Sequence, residues 1–178
     1  MFSISKSIST VAGTLVLGLA MAPAAQAVTQ DQTFEWSGGD SCQLSLPTTD
    51  TMVRPRASGY RNEGTTTQFV LCGLGGYKSA SFLSYSLIFT SVDGAAHDIS
   101  CTAVGGLTGF SGPYYSTKTI TIPGSGYTYL TWSATDFGDT AGSPISYAKS
   151  INASVTCSLP AKAAIQAFET ANRINVGA

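Results

Sequence analysis

Apolar residues alternate with serine, threonine and other polar residues over much of the chain, with the two-residue period of a strand that buries one face. The clearest stretch is 151–157, where Ile151, Val155 and Cys157 share one face and polar residues occupy the other. Similar stretches predict strands at 33–36, 42–46, 65–72, 82–91, 99–103, 119–122 and 128–132, with an edge strand at 51–54. The pattern therefore predicts about eight strands.

Turn-forming residues separate these stretches and indicate how they connect. Asp93-Gly94 follows the strand 82–91, and a Pro-Gly-Ser-Gly sequence at 123–126 follows the strand 119–122. In each case we expect a hairpin with the next predicted strand. Short strands between turn clusters are typical of an antiparallel β-sandwich or a jelly roll, so the predicted fold class is all-β with two layered sheets.

One segment departs from the alternation. Residues 160–172 are rich in alanine together with Lys, Gln and Glu, which favour helices. Pro160 stands where proline is tolerated in a first helical turn. Ile165 and Phe168 lie three positions apart and would share one side of a helix. We therefore expect a short C-terminal helix that packs on the sheets.

The N-terminal segment has the three parts of a secretory signal peptide. Lys6 is followed by an apolar run from Val11 to Met21, and small residues end in Ala25-Gln26-Ala27. The apolar run is shorter than the roughly 20 residues that cross a bilayer. We expect residues 1–27 to be removed, which leaves 28–178 as a single secreted domain without a membrane span. Periplasmic and extracellular locations both remain open.

All four cysteines lie in the predicted mature domain. An even number of cysteines behind an export signal predicts two disulfides. The spacing lacks the close pairs of a zinc site and leaves three pairings open, among which we favour Cys42–Cys72 and Cys101–Cys157. Because the cysteines lie on the apolar side of the alternation, we expect the cystines to hold the two sheets together.

The charge of the chain limits its partners. Nine Lys and Arg residues nearly balance ten Asp and Glu residues, for a net charge of −1. Nucleic acids and anionic membranes call for a basic face, so neither is an expected partner. Hydroxyl-bearing residues supply much of the polarity, which suits the exposed faces of strands.

The first candidate binding segment carries a cluster of cations. Arg54, Arg56 and Arg61 lie close together in the sequence beside Tyr60. Arginine makes forked hydrogen bonds to carboxylates, phosphates and sulfates, and with tyrosine beside it the cluster could hold a sugar or a peptide terminus. The alternative is that these arginines pair with Glu63 or Asp50 and fix a loop to the sheet.

The second candidate is an aromatic strand face. Tyr127 and Tyr129 alternate with Leu130 and Trp132 and so fall on opposite faces of one strand. An exposed tyrosine face can stack on carbohydrate or contact a protein, because each ring joins an apolar body to a polar tip. The alternative is that the tyrosines cover a second layer of core.

Residues suited to catalysis or metal binding are sparse. His97 is the sole histidine, and Asp136 and Asp139 could act as paired carboxylates or bind calcium. Calcium usually takes six or more oxygens, and the segment around the two aspartates offers few. We expect no catalytic constellation, no metal site and no cofactor.

These observations favour an exported, non-enzymatic β-domain that acts by surface binding or assembly, with a glycan or protein ligand. The alternative is a small secreted hydrolase that uses Asp136, Asp139 or His97, which requires these side chains to converge in one cleft. A protease inhibitor is a third hypothesis and would need an exposed, braced loop at 105–113. The sequence leaves the oligomeric state open.

Overall fold

The computed structural model describes residues 28–46, 52–73, 81–106 and 112–177. The predicted signal peptide and most of the loop at 105–113 lie outside these ranges. Within them, eleven strands form two antiparallel sheets, which confirms the all-β sandwich and exceeds the predicted number of strands. No helix in the described ranges is long and apolar enough to cross a membrane.

The strands are β1 (Thr29–Ser37), β2 (Cys42–Leu44), β3 (Val53–Arg56), β4 (Gly59–Asn62), β5 (Gln68–Gly73), β6 (Ser81–Ser91), β7 (His97–Gly105), β8 (Tyr114–Ile122), β9 (Thr128–Ser133), β10 (Ser154–Leu159) and β11 (Ala163–Asn175). Two short helices, α1 (Gly38–Ser41) and α2 (Tyr147–Ser150), and a 3₁₀ turn (Ala134–Phe137) connect them.

Both sheets follow one topological scheme. Sheet A has the order β3-β4-β11-β6-β9, and β1 also pairs with β11; sheet B has the order β2-β5-β10-β7-β8. Eight connections between successive strands cross from one sheet to the other, and five of them, β2/β3, β4/β5, β6/β7, β8/β9 and β10/β11, link strands at the same position in the two orders.

The two predicted hairpins are wrong, because their strands lie in different sheets. β6 pairs with β9 in sheet A, and β7 pairs with β8 in sheet B. The two connecting turns stack on each other, and a β-carbon added at Gly124 would overlap the carbonyl oxygen of Gly94. The turn residues do reverse the chain, but each strand pairs where its apolar face meets the common core.

The predicted C-terminal helix is also wrong, because residues 163–175 form β11 at the centre of sheet A. The strand pairs with β6 on one side and with β4 and β1 on the other. Its register shifts between Ile165 and Ala167 and again between Ala171 and Asn172. The first shift places an extra residue, Gln166, in β11 and interrupts its two-residue period, and tertiary pairing overrides the helix propensity of the alanines.

The core lies between the sheets, and polar contacts close one of its sides. Trp132 of β9 is fully buried, and its indole N–H donates to the carbonyl oxygen of Ser116 on β8 at 3.0 Å. The Lys118 ammonium donates to the carbonyl oxygen of Thr131 at 2.7 Å and pairs with Asp136 at 2.8 Å. Side chains thus link β8 to β9 where no backbone ladder joins the two sheets.

The predicted disulfide pairing is confirmed, with Cys42 bonded to Cys72 and Cys101 bonded to Cys157. The expectation that the cystines join the two sheets is wrong. Each pair consists of direct cross-strand neighbours within sheet B, on β2 and β5 and on β7 and β10. All four sulfur-bearing side chains point into the core, so the sheets are held together by apolar packing.

Candidate functional site

The outer face of sheet A, which points away from sheet B, combines aromatic, acidic and hydroxyl side chains. The register places Tyr129, Ile88, Ala167 and Ser37 in one row across β9, β6, β11 and β1. The next row contains Thr131, Ser86, Glu169 and Glu35 on the same four strands. The side chains of each row lie on neighbouring strands roughly 4.8 Å apart, so each row spans about 14 Å, with Ile88, Ala167 and Ser86 buried in the middle.

Tyr127 and Tyr129 form the aromatic part of this face. Their side chains are 60% and 46% exposed, whereas the alternating Leu130 and Trp132 are buried, so these tyrosines do not cover a second core layer. The two rings meet edge to face, with centroids 5.5 Å apart. Partial desolvation, together with Tyr127 and the charges of Glu169 and Glu35, raises the pKa of Tyr129.

Two carboxylates face each other beside the tyrosines. Glu35 of β1 and Glu169 of β11 are direct cross-strand partners. Among the described residues, neither has a hydrogen bond or an ion pair, and like charges in this arrangement repel. Asp31 and Arg173 face each other further along the same two strands. Their charges compensate each other, because the Arg173 guanidinium donates to the Asp31 carboxylate at 2.7 and 2.9 Å.

An open cleft of about 520 Å³ adjoins Glu35. The end of β1, including Glu35, forms one wall, and Ala57 and Ser58 of the β3–β4 turn form another. Ile88 and the β11 bulge at Gln166 complete the lining. The cleft therefore carries one carboxylate and no cation among its lining residues.

The arginine segment (Arg54, Arg56 and Arg61) lies on β3 and β4, next to the turn that lines this cleft, and two of its three arginines are ion-paired. The Arg56 guanidinium makes two hydrogen bonds to Glu63, at 3.0 and 2.6 Å, and Arg54 adds a third at 3.0 Å. These bonds lower the pKa of Glu63 to about 2. Arg61 forms no ion pair with any described residue, whereas Tyr60 is 4% exposed and belongs to the core. Tyr60 is therefore not available to a surface ligand.

The structure does not bring together the residues of the hydrolase alternative. His97 bonds to Asp93 at 2.8 Å. Burial opposes ionisation of Asp136 and Asp139, but each carboxylate has an ammonium partner that lowers its pKa, Lys118 for the first and Lys149 for the second. No hydrogen bond or ion pair in the described ranges connects these three groups into one site, and the same residues contain no cluster of three potential metal ligands.

Sequence reasoning missed Glu35 and Glu169. The signal for Glu35 was available, because it alternates with Phe34 and Trp36 and so falls on the polar face of β1. Glu169 was hidden by the helix prediction, since its face depends on the bulges of β11. Their pairing links two strands at opposite ends of the chain and follows only from the sheet topology.

Comparisons with known proteins leave the family unassigned. No family model and no curated protein matches the chain. One similar structure is a family 11 carbohydrate-binding module from Clostridium thermocellum in complex with a beta-1,3-1,4-mixed-linked tetrasaccharide. It is 14% identical, with a TM-score of 0.35 over 82% of this chain and 88% of that chain.

Two further structures give the same level of similarity. The family 11 module of the cellulosomal cellulase Lic26A-Cel5E of Clostridium thermocellum is 14% identical, with a TM-score of 0.35 over 87% of this chain and 96% of that chain. A solution structure of CtCBM11 is 16% identical, with a TM-score of 0.35 over 90% of this chain and 99% of that chain. A TM-score of 0.35 assigns neither a family nor a ligand to this chain.

Proposed function

We propose that the protein is an exported, non-enzymatic β-domain that binds a glycan on the outer face of sheet A. The observation that carries the proposal is the exposed pair Tyr127 and Tyr129 beside the facing carboxylates Glu35 and Glu169, which have no ion pair within the part of the chain that the structure describes. Tyrosine rings stack on the apolar faces of sugars, and carboxylate and hydroxyl oxygens accept hydrogen bonds from sugar hydroxyls.

The rigidity of the site supports binding in preference to catalysis. The tyrosines and both glutamates lie on or directly beside strands of one sheet, so little ordering is needed when a ligand binds. The two carboxylates of the hydrolase alternative are each held by a separate ammonium group, Lys118 for Asp136 and Lys149 for Asp139. The proposed site contains Tyr127 and Tyr129 and does not include the arginine segment.

A glycan array followed by isothermal titration calorimetry tests the proposal. Tyr127→Ala and Tyr129→Ala are each expected to weaken binding about tenfold, because each removes an exposed stacking ring. Tyr115→Ala is the matched control, since Tyr115 is 65% exposed on the outer face of sheet B. Absence of glycan binding by the folded protein, or equal losses in all three variants, would refute the proposed site.

Export is the second part of the proposal. The signal-like segment 1–27 and two disulfides formed between buried cysteines support folding outside the reducing cytosol. Expression of the full chain is expected to yield a processed protein that begins at Val28 in the periplasm or the medium. Mass spectrometry of each fraction measures this, and an unprocessed chain confined to the cytosol would contradict it.

A further inference from the structure

We infer that the outer face of sheet A prefers a glycan that carries free amino groups over a neutral or acidic one. This inference rests on the proposed function and extends it by naming the substrate class. The amines would lie against Glu35 and Glu169, while Tyr127 and Tyr129 contact the sugar rings.

Charge compensation across the structure singles out these two carboxylates. Of the acidic residues in the described ranges, most have a partner: Asp31, Glu63, Asp136 and Asp139 each form an ion pair, and Asp93 and Asp98 accept hydrogen bonds, from Ser91 at 2.9 Å and from Thr121 at 2.6 Å. Glu35, Asp40 and Glu169 have neither. Only Glu35 and Glu169 face each other, so their repulsion is relieved by a cation placed between or above them.

The surroundings of the pair favour an amine attached to a larger ligand. Glu35 lines the 520 Å³ cleft, whose other lining residues are uncharged. The nearby tyrosine rings add attraction for a cation through their π faces. On the outer face of sheet A, Arg173 is paired with Asp31, and Arg61 lies further along β11, opposite Ala164. An acidic glycan would meet two uncompensated carboxylates and is disfavoured.

Isothermal titration with three oligosaccharides of equal length tests the inference: β-linked glucosamine, N-acetylglucosamine and glucose oligomers. The titrations are run at about pH 5.5, where the sugar amines are protonated. The glucosamine oligomer is expected to bind about tenfold more tightly than the other two, and the preference is expected to weaken as salt rises.

Variants that remove the charge of Glu35 or Glu169 test whether these two carboxylates cause the preference for the glucosamine oligomer. Glu35→Gln and Glu169→Gln are each expected to weaken glucosamine binding about fivefold and to weaken binding of the glucose oligomer by a smaller factor, because the amide oxygen of glutamine still accepts hydrogen bonds from sugar hydroxyls. Both variants are expected to keep or raise the melting temperature, because each removes a repulsion. Asp98→Asn is the matched control, since it removes the same charge on the outer face of sheet B.

The outcomes separate the inference from the proposed function. Equal binding of all three oligomers, with loss on Tyr129→Ala, overturns the amine preference and leaves glycan binding intact. Binding of none of them by the folded protein overturns the amine preference, and absence of binding on the glycan array as well overturns both. Binding of a lysine oligomer that depends on Glu35 and Glu169, without glycan binding, also overturns both and identifies the partner as a basic peptide.

Discussion

Phe168 provides a direct test of the central position of β11. Its side chain is 1% exposed, lies opposite Leu87 of β6 and stacks on Trp36 with ring centroids 5.7 Å apart. Phe168→Ala removes the ring and leaves a cavity between these neighbours. Truncation of a core phenylalanine to alanine lowers the free energy of unfolding by about 3–5 kcal/mol. Because Trp36 is only partly buried, it can move into part of the cavity, so we expect a loss of about 3–4 kcal/mol.

The destabilisation is measured by urea unfolding and by thermal unfolding of the oxidised protein. For a domain of this length, about 3–4 kcal/mol corresponds to a decrease in melting temperature of roughly 6–16 °C. Phe69→Ala is the matched control, because Phe69 is 61% exposed on the outer face of sheet B, and its truncation is expected to cost less than about 1 kcal/mol. Equal losses in the two variants would refute the buried central strand.

Three further predictions concern the cystines, the arginine segment and α1. Replacing Cys101 and Cys157 together by alanine is expected to cost about 4 kcal/mol in the free energy of unfolding, because the bond closes a long loop; loss of less than about 1 kcal/mol in urea unfolding would contradict this. Glu63 has a pKa of about 2 in the folded protein, below its value near 4.3 in an unfolded chain, so its contribution to stability is present above about pH 5 and disappears as the pH falls towards 2. The melting-temperature difference between the wild type and Glu63→Gln is therefore expected to shrink over that range, and a constant difference would be inconsistent with this ionisation. Gly38→Ala is expected to cost about 1–3 kcal/mol, since its β-carbon would overlap the carbonyl oxygen of Ile165; unchanged unfolding would show that this approach is not close.

The sequence was sufficient to predict individual strands, but it did not predict how they pair. The alternation of apolar and polar residues follows from the pleat of each strand alone. It therefore located most strands and placed Tyr129 and Trp132 on opposite faces. Pairing depends on which apolar faces meet across the core. The turn sequences after β6 and β8 do not show whether the next strand pairs with the preceding strand or crosses to the other sheet.

The C-terminal segment and the site show a second limit. Gln166 introduces an extra residue at a bulge, so the alternation of β11 breaks where the sequence looks most helical. The facing arrangement of Glu35 and Glu169 depends on that strand, and it could not be predicted while the segment was taken for a helix. The disulfide pairing was predicted correctly, whereas its role within a single sheet required the strand order.

The order in which strands emerge from the ribosome gives the position of β11 a consequence for biogenesis. β1 pairs with β11 alone, and β4 and β6 each need it as a neighbour, yet β11 follows all three in the chain. A nascent polypeptide that still lacks β11 cannot assemble sheet A, because its non-local contacts are missing. Late synthesis of the middle strand therefore keeps sheet A from closing until β11 has been made.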